Sequence, residues 1–188
     1  MEDNHIRQRI SQKYCSYCGS EVSIKIPEGD NKERAVCKKC GSIFYENPKI
    51  VSGCLLTYED KILLCKRATE PREGYWTLPA GFLENNETIE EGASRETFEE
   101  ARAEGKDLQP FLFCNLPHIS QLYIMFYGKL FNGKFSPGPE SSDVKLFSKE
   151  EIPWDNLAFP VIKKTITLYY EDKKNGTIGI HFETIKKK

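Results

Sequence analysis

The sequence predicts an α/β sandwich, a mixed β-sheet covered by helices, and three observations lead to it. Short β-rich runs bounded by turn residues surround two amphipathic helical stretches. One run, LYIMFYGKLF within 121–131, is apolar enough for a central, fully buried strand. The 188 residues leave room for one ordinary domain plus a small appendage, and the cysteine-rich first quarter supplies the appendage.

The elements follow in order. Residues 1–13 read as a polar lead-in. Val22, Ile24 and Ile26 alternate as a strand, and Pro27-Glu-Gly-Asp-Asn31 supplies a hairpin turn. Glu46-Asn47-Pro48 marks a linker. The runs 50–57 and 61–67 form a hairpin through Tyr58-Glu-Asp60. The stretch 75–80 is a short strand running into a glycine turn at Gly81. Thr88-x-x-Glu91 is a capping box that opens a helix, with Gly105 as its terminating residue. Strands are expected at 107–116, 121–131 and 144–147. Ser148-x-x-Glu151 caps a turn, 157–170 is a closing helix, and an edge strand follows at 177–182. The division is 1–47, 48–172 and a C-terminal extension 173–188, with Lys186, Lys187 and Lys188 as a solvated tail.

Composition excludes several classes. With 39% hydrophobic and 29% charged residues and a net charge of −1, the chain lacks the basic lean of a general nucleic-acid or membrane-surface binder. No apolar run approaches the ~20 residues of a membrane span. Residues 1–14 have no hydrophobic core, so no secretory leader is expected, and the odd total of seven cysteines fits a reducing, cytoplasmic setting.

Four of those cysteines form Cys15-x-x-Cys18 and Cys37-x-x-Cys40, each followed by Gly-Ser. Each pair brings two thiolates to one ion, and the glycine allows the positive φ that such a knuckle needs. Two knuckles complete a tetrahedral four-cysteine site that selects Zn²⁺, and the module reads as a zinc ribbon. With every position filled by cysteine, the expected role is structural, since so short a segment cannot fold on its own core. Redox chemistry would need a thioredoxin-like setting that the flanks lack. Arg34, Lys38 and Lys39 make only a slight basic patch, so nucleic acid is a weak alternative partner. Cys54, Cys65 and Cys114 fall in apolar runs as small core residues.

The stretch 81–103 concentrates the chemistry. With Glu96 at zero on a helical wheel, Glu99 lies near about −60° and Glu100 near about +40°. Ile89, Ala93, Thr97 and Ala101 fall at about 20°, 60°, 100° and 140°, so the carboxylates overlap the edge of the apolar stripe. Partly desolvated carboxylates need cations, and Arg95 supplies a single charge. Oxygen ligands on a rigid element suit Mg²⁺ or Mn²⁺.

Gly81, Glu87, Arg95-Glu96 and Glu99-Glu100 match the spacing of the Nudix box, and on these residues the chain resembles the Nudix hydrolases. It departs from the box at two uncharged places, Thr97 for an apolar residue and Arg102 for the closing glycine. The resemblance spans about 120 residues and implies an α/β/α sandwich with a mixed sheet. The preceding ribbon and the run PGPESSDVKLF…EIPWDNLAF resemble a zinc-ribbon subgroup whose members split FAD or ADP-ribose.

The resemblance implies Mg²⁺ held by Glu96, Glu99, Glu100 and the carbonyl of Gly81. Glu87 and Arg95 would hold those ligands in place, and Glu140, with Asp143 behind it, would serve as general base. The reaction implied is attack of activated water on a nucleoside-diphosphate linkage, giving AMP and the other monophosphate. Tyr75, Trp76, Phe82 and Tyr123 are candidates for stacking a purine or flavin ring. The stretch 108–114, LQPFLFC, lacks the Ser-Gln-Pro-Trp-Pro-Phe-Pro signature of relatives that cleave NADH, which weakens NADH and NAD-capped RNA as substrates. Pro117 resembles a mark of ADP-ribose diphosphatases. A housecleaning hydrolase for oxidised nucleoside triphosphates is the second reading. A non-catalytic nucleotide sensor is the third, and the intact set of box glutamates counts against it. Oligomeric state stays open, with a homodimer common in the family.

Overall fold

The computed structural model describes residues 12–187, and most of the polar lead-in and Lys188 of the tail lie outside that range. Internal contacts divide the chain into two compact units, Met1–Pro48 and Lys49–Lys188.

The first unit is a three-stranded antiparallel sheet of β1 (Val22–Lys25), β2 (Arg34–Cys37) and β3 (Ile43–Phe44), in the order β1-β2-β3. Ala35, Val36 and Cys37 are buried, whereas Ile24 and Ile26 are half exposed. So thin a core cannot hold the fold alone, which is the expected case for a metal-stapled module.

The second unit carries a mixed sheet. Its strands are β4 (Lys49–Tyr58), β5 (Lys61–Arg67), β6 (Trp76–Thr77), β7 (Ala80–Phe82), β8 (Gly105–Leu116), β9 (Gln121–Leu130), β10 (Ser141–Phe147) and β11 (His181–Thr184). The order is β10-β5-β4-β9-β8-β11, with β6 on β5 and β7 on β4. β4 pairs parallel with β9 and β11 parallel with β8, while the other pairings are antiparallel. The β4–β5 hairpin turns on Glu59 and Asp60, both at positive φ, as a two-residue turn matched to strand twist requires.

Two helices cover opposite faces. α1 (Ile89–Ala101) packs with Cys54, Leu56, Leu63, Ile124 and Phe126. α2 (Pro160–Asn175) packs with Leu55, Ile62, Leu64, Phe111 and Met125. Neighbouring residues of β4 and β9 therefore enter different cores, the alternation of a central strand buried on both sides. None of the helices among the described residues is long and apolar enough to cross a membrane.

The helix ends differ from expectation. α1 closes at Arg102, which adopts the left-handed conformation (φ 46°, ψ 32°) and donates its amide to Phe98. Gly105 instead opens β8. Arg102 lays its guanidinium over the Phe98 ring at 5.1 Å, a contact that offsets part of the cost of that backbone state. α2 starts at Pro160, three residues later than expected, because proline suits the first helical position, and it ends at Gly176. The edge strand falls at His181–Thr184 instead of 177–182.

Candidate active site

The glutamates sit where α1 approaches the β7 turn. Thr88 caps α1 through its side chain, and Glu91 returns a bond to the Thr88 amide at 2.7 Å. That box sets the helix phase. Gly92, Ala93, Thr97, Glu100 and Ala101 face inward, and Thr97 satisfies its hydroxyl on the Ala93 carbonyl at 2.7 Å.

Arg95 is saturated. Its Nε and Nη2 grip both oxygens of Glu87 at 2.9 and 2.8 Å, Nη1 reaches Glu96 at 2.7 Å and Glu99 at 3.1 Å, and Nη2 also donates to the Phe82 carbonyl at 3.0 Å. Arg95 and the Glu84 amide hold the Glu87 carboxyl down to about 2. One guanidinium thus ties the helix to the loop before it.

Glu100 is only 6% exposed and accepts a bond from the Ala80 amide at 3.3 Å. Burial pushes its carboxyl up to about 8, with Glu96 and Glu140 adding repulsion and the Ala80 amide and Arg67 working the other way. Burial likewise raises Glu96. Glu99 keeps 55% of its side chain exposed. A Cβ on Gly81 would overlap the Glu96 carboxylate, so the bare α-carbon is what admits that group against the turn. Glu96 and Glu100 are thus desolvated and mutually repelling beside a glycine backbone, with Arg95 already engaged by Glu87, Glu96 and Glu99. Among the described residues only the cysteine quartet brings its donor atoms together as a metal-ligand group.

Glu140 is carried by a loop fastened to the end of α1. Ser136 and Gly138 donate their amides to the carbonyls of Ala101 and Glu100 at 2.8 and 3.0 Å, and Ala68 donates to the Glu140 carbonyl at 2.9 Å. The Glu140 charge is felt by both Glu96 and Glu100. Asp143 is engaged by Lys145 at 2.6 Å.

The aromatic candidates separate. Trp76 is 8% exposed and packs edge to face on Phe147, with centroids 4.8 Å apart, so its ring belongs to the core. Phe82 is half exposed beneath Lys49, at 5.3 Å. Tyr75 lies under Arg72 at 5.3 Å. Burial pushes the Tyr123 hydroxyl up to about 12, and Arg67 draws it back.

Arg67 is a residue that sequence reasoning missed. Its Nε donates to Pro71 at 2.8 Å, and its guanidinium lies 5.4 Å from the Phe159 ring centre. Its charge acts on both Glu100 and Tyr123. The one sequence signal was a Lys66-Arg67 pair at a strand end, next to a Pro- and Gly-containing loop.

In the first unit, Cys15, Cys18, Cys37 and Cys40 place their sulfurs within 4.8 Å of one another. The separations Cys18–Cys37 at 3.5 Å and Cys15–Cys40 and Cys18–Cys40 at 3.7 Å match the roughly 3.8 Å edge of a tetrahedron with ~2.3 Å Zn–S bonds. Gly19 and Gly41 take φ of 70° and 73°, as the knuckles require. The amides of Lys39 and Cys40 both point at the Cys37 sulfur at 3.4 Å. The Ser42 hydroxyl and amide pull the Cys40 thiol down to about 6. These four thiols fit zinc.

Comparison with known proteins agrees with this geometry. The zinc-ribbon family described as Nudix N-terminal matches residues 13–46, and the NUDIX domain matches residues 47–169. A crystal structure of a NUDIX hydrolase from Nitrosomonas europaea is 49% identical, with a TM-score of 0.89, over 93% of this chain and 99% of that one. An ADP-ribose pyrophosphatase structure from Streptococcus suis shares the fold at 20% identity and a TM-score of 0.55, over 74% of this chain and 100% of that one. The NAD-capped RNA hydrolase NudC of Photorhabdus laumondii is 28% identical over 165 residues, 84% of this chain. The chain spans 62% of that relative's length. Box residues, mixed sheet and cysteine quartet therefore converge: the chain belongs to the NUDIX domain family and carries that family's N-terminal zinc ribbon.

Proposed function

We propose that this protein hydrolyses the diphosphate linkage of nucleoside-diphosphate derivatives, with FAD or ADP-ribose as the substrate class, releasing AMP and the partner monophosphate. The observation that carries this reading is the buried Glu100 carboxylate beside Glu96, with the neighbouring Arg95 already bound on every side.

Glu96, Glu99, Glu100 and the Gly81 carbonyl would hold Mg²⁺ or Mn²⁺. When bound, such an ion neutralises phosphate charge and acidifies a water ligand. Arg95 and Glu87 keep the carboxylates in register. Arg67, fixed at Nε, presents its remaining nitrogens to a phosphate oxygen. Glu140 accepts the proton of the attacking water as the new P–O bond forms, and the bridging oxygen leaves with the other phosphate. Tyr75, Phe82 and Tyr123 offer ring faces to the nucleoside halves, and Trp76 supports them from the core. The ribbon, 1–47, is structural, 48–172 is the hydrolase domain and 173–188 an extension of it. The setting we assign is cytoplasmic, with a homodimer as the family assembly.

A second reading, cleavage of NAD-type diphosphates, is supported by the likeness to NAD-capped RNA hydrolases. Turnover of FAD, ADP-ribose, NADH and oxidised dGTP with and without Mg²⁺ decides between them. AMP with FMN or ribose 5-phosphate is expected. AMP with reduced nicotinamide mononucleotide would favour the second reading, and release of pyrophosphate from oxidised dGTP would replace both.

A further inference from the structure

At the other end of β4 and β9 lies a cavity of about 620 Å³ that the proposed chemistry does not use. Its volume is within the usual range for small-ligand sites. Thr57, on its wall, is four residues past Gly53, which pairs with Ala80, so the cavity sits roughly 13 Å along the strand from the glutamate turn. Tyr127 and Tyr169 line one side with rings stacked 5.6 Å apart, and Tyr58 lines another.

Three lysines border the same space. Lys106 and Lys129 stand directly opposite each other across the antiparallel β8–β9 pair. Directly opposed residues share a sheet face, and like charges there repel. Among the described residues neither lysine has a carboxylate within ion-pair distance. The third, Lys173, is held by Asp60 at 2.7 Å. With Glu59 and Asp60 counted against the three lysines, the lining keeps a net positive charge.

We propose that this cavity is a second ligand site, which takes a nucleoside monophosphate. The phosphate sits between Lys106 and Lys129 and relieves their repulsion, because a doubly charged anion compensates two ammonium groups. The ring lies against Tyr58 and Tyr127, where a flat apolar face covers aromatic surface. The inference does not depend on which diphosphate the protein cleaves.

Calorimetric titration of the full-length, zinc-loaded protein in magnesium-free buffer with AMP, inorganic phosphate and adenosine tests it. AMP is expected to bind, phosphate to bind more weakly, and adenosine not to bind. The Lys106→Met/Lys129→Met double variant weakens AMP by about tenfold or more and melts higher than wild type without ligand. If that variant misfolds, Lys129→Gln alone gives the same direction. Glu100→Gln leaves AMP affinity unchanged, and Lys129→Gln leaves FAD turnover unchanged. AMP binding that survives loss of the lysines, that disappears in Glu100→Gln, or that is absent in wild type overturns the proposal.

Discussion

The amide of Gly138 donates to the carbonyl of Glu100 at 3.0 Å, so the loop bearing Glu140 hangs from the helix bearing the other glutamates. A Cβ on Gly138 would run into the backbone carbonyl of Glu99. Gly138→Ala must therefore push the loop off the helix. The expected result is a kcat lower by ~10²-fold, since a displacement near 1 Å is enough for that, with the melting temperature changed far less than activity. Steady-state kinetics beside a thermal melt checks it.

Glu100→Gln separates a functional carboxylate from a structural one. The side chain is buried beside Glu96 without an ion-pair partner among the described residues. At pH 7, without magnesium but with zinc in place, the variant should melt higher than wild type, because a carboxyl held up to about 8 must take up a proton to fold and glutamine need not. Activity should fall by roughly 10²–10³-fold. A variant that is both destabilised and active would contradict the assignment.

Arg67→Lys keeps the charge and loses the planar fork. Phe159 lies 5.4 Å from the guanidinium and the Pro71 carbonyl accepts from Nε at 2.8 Å, two contacts that a lysine would not reproduce. We expect kcat/KM to drop about tenfold or more, chiefly through KM, and Arg67→Ala to drop it further. Equal kinetics for arginine and lysine would show that only charge matters.

Asp172 fastens the chain after α2: it accepts bonds from the Gly179 amide at 2.8 Å and the His181 ring at 2.9 Å. Burial works against its charge, yet these partners prevail and hold the carboxyl below its ordinary 3.8. A depressed carboxyl adds stability above that pH and loses it as pH falls through the lower folded value. Asp172→Ala should cost about 1–3 kcal/mol at neutral pH and free β11 to exchange its amides. Urea unfolding should show the gap to wild type closing below pH 3.8.

Cys37→Ser removes one corner of the thiol tetrahedron. Bound zinc should fall from one equivalent toward none by metal analysis, and the amides of residues 13–46 should lose dispersion in their NMR spectrum. Retained zinc would refute the four-cysteine site.

Much of this was legible in the chain itself. Thr88 and Glu91 announced the start of α1, the 61–67 run became β5 without change, and the 3.6-residue period put Glu100 at the core's border, where it is found. The close of α1 was not legible. Arg102 stands where the box has its closing glycine and Gly105 reads as the nearby stop, but the chain turns at Arg102, where the Phe98 ring offers its guanidinium a partner.

The sequence alone determined which side chains could share one helix face and which four thiols could share one ion, because both depend on spacing over a few residues. Only the tertiary structure decided that β4 lies parallel to β9, that the charge of Arg67 acts on both Glu100 and Tyr123, and that Lys106 opposes Lys129. Those relations join residues dozens of positions apart. Burial of both sheet faces selects them, and no local period encodes it.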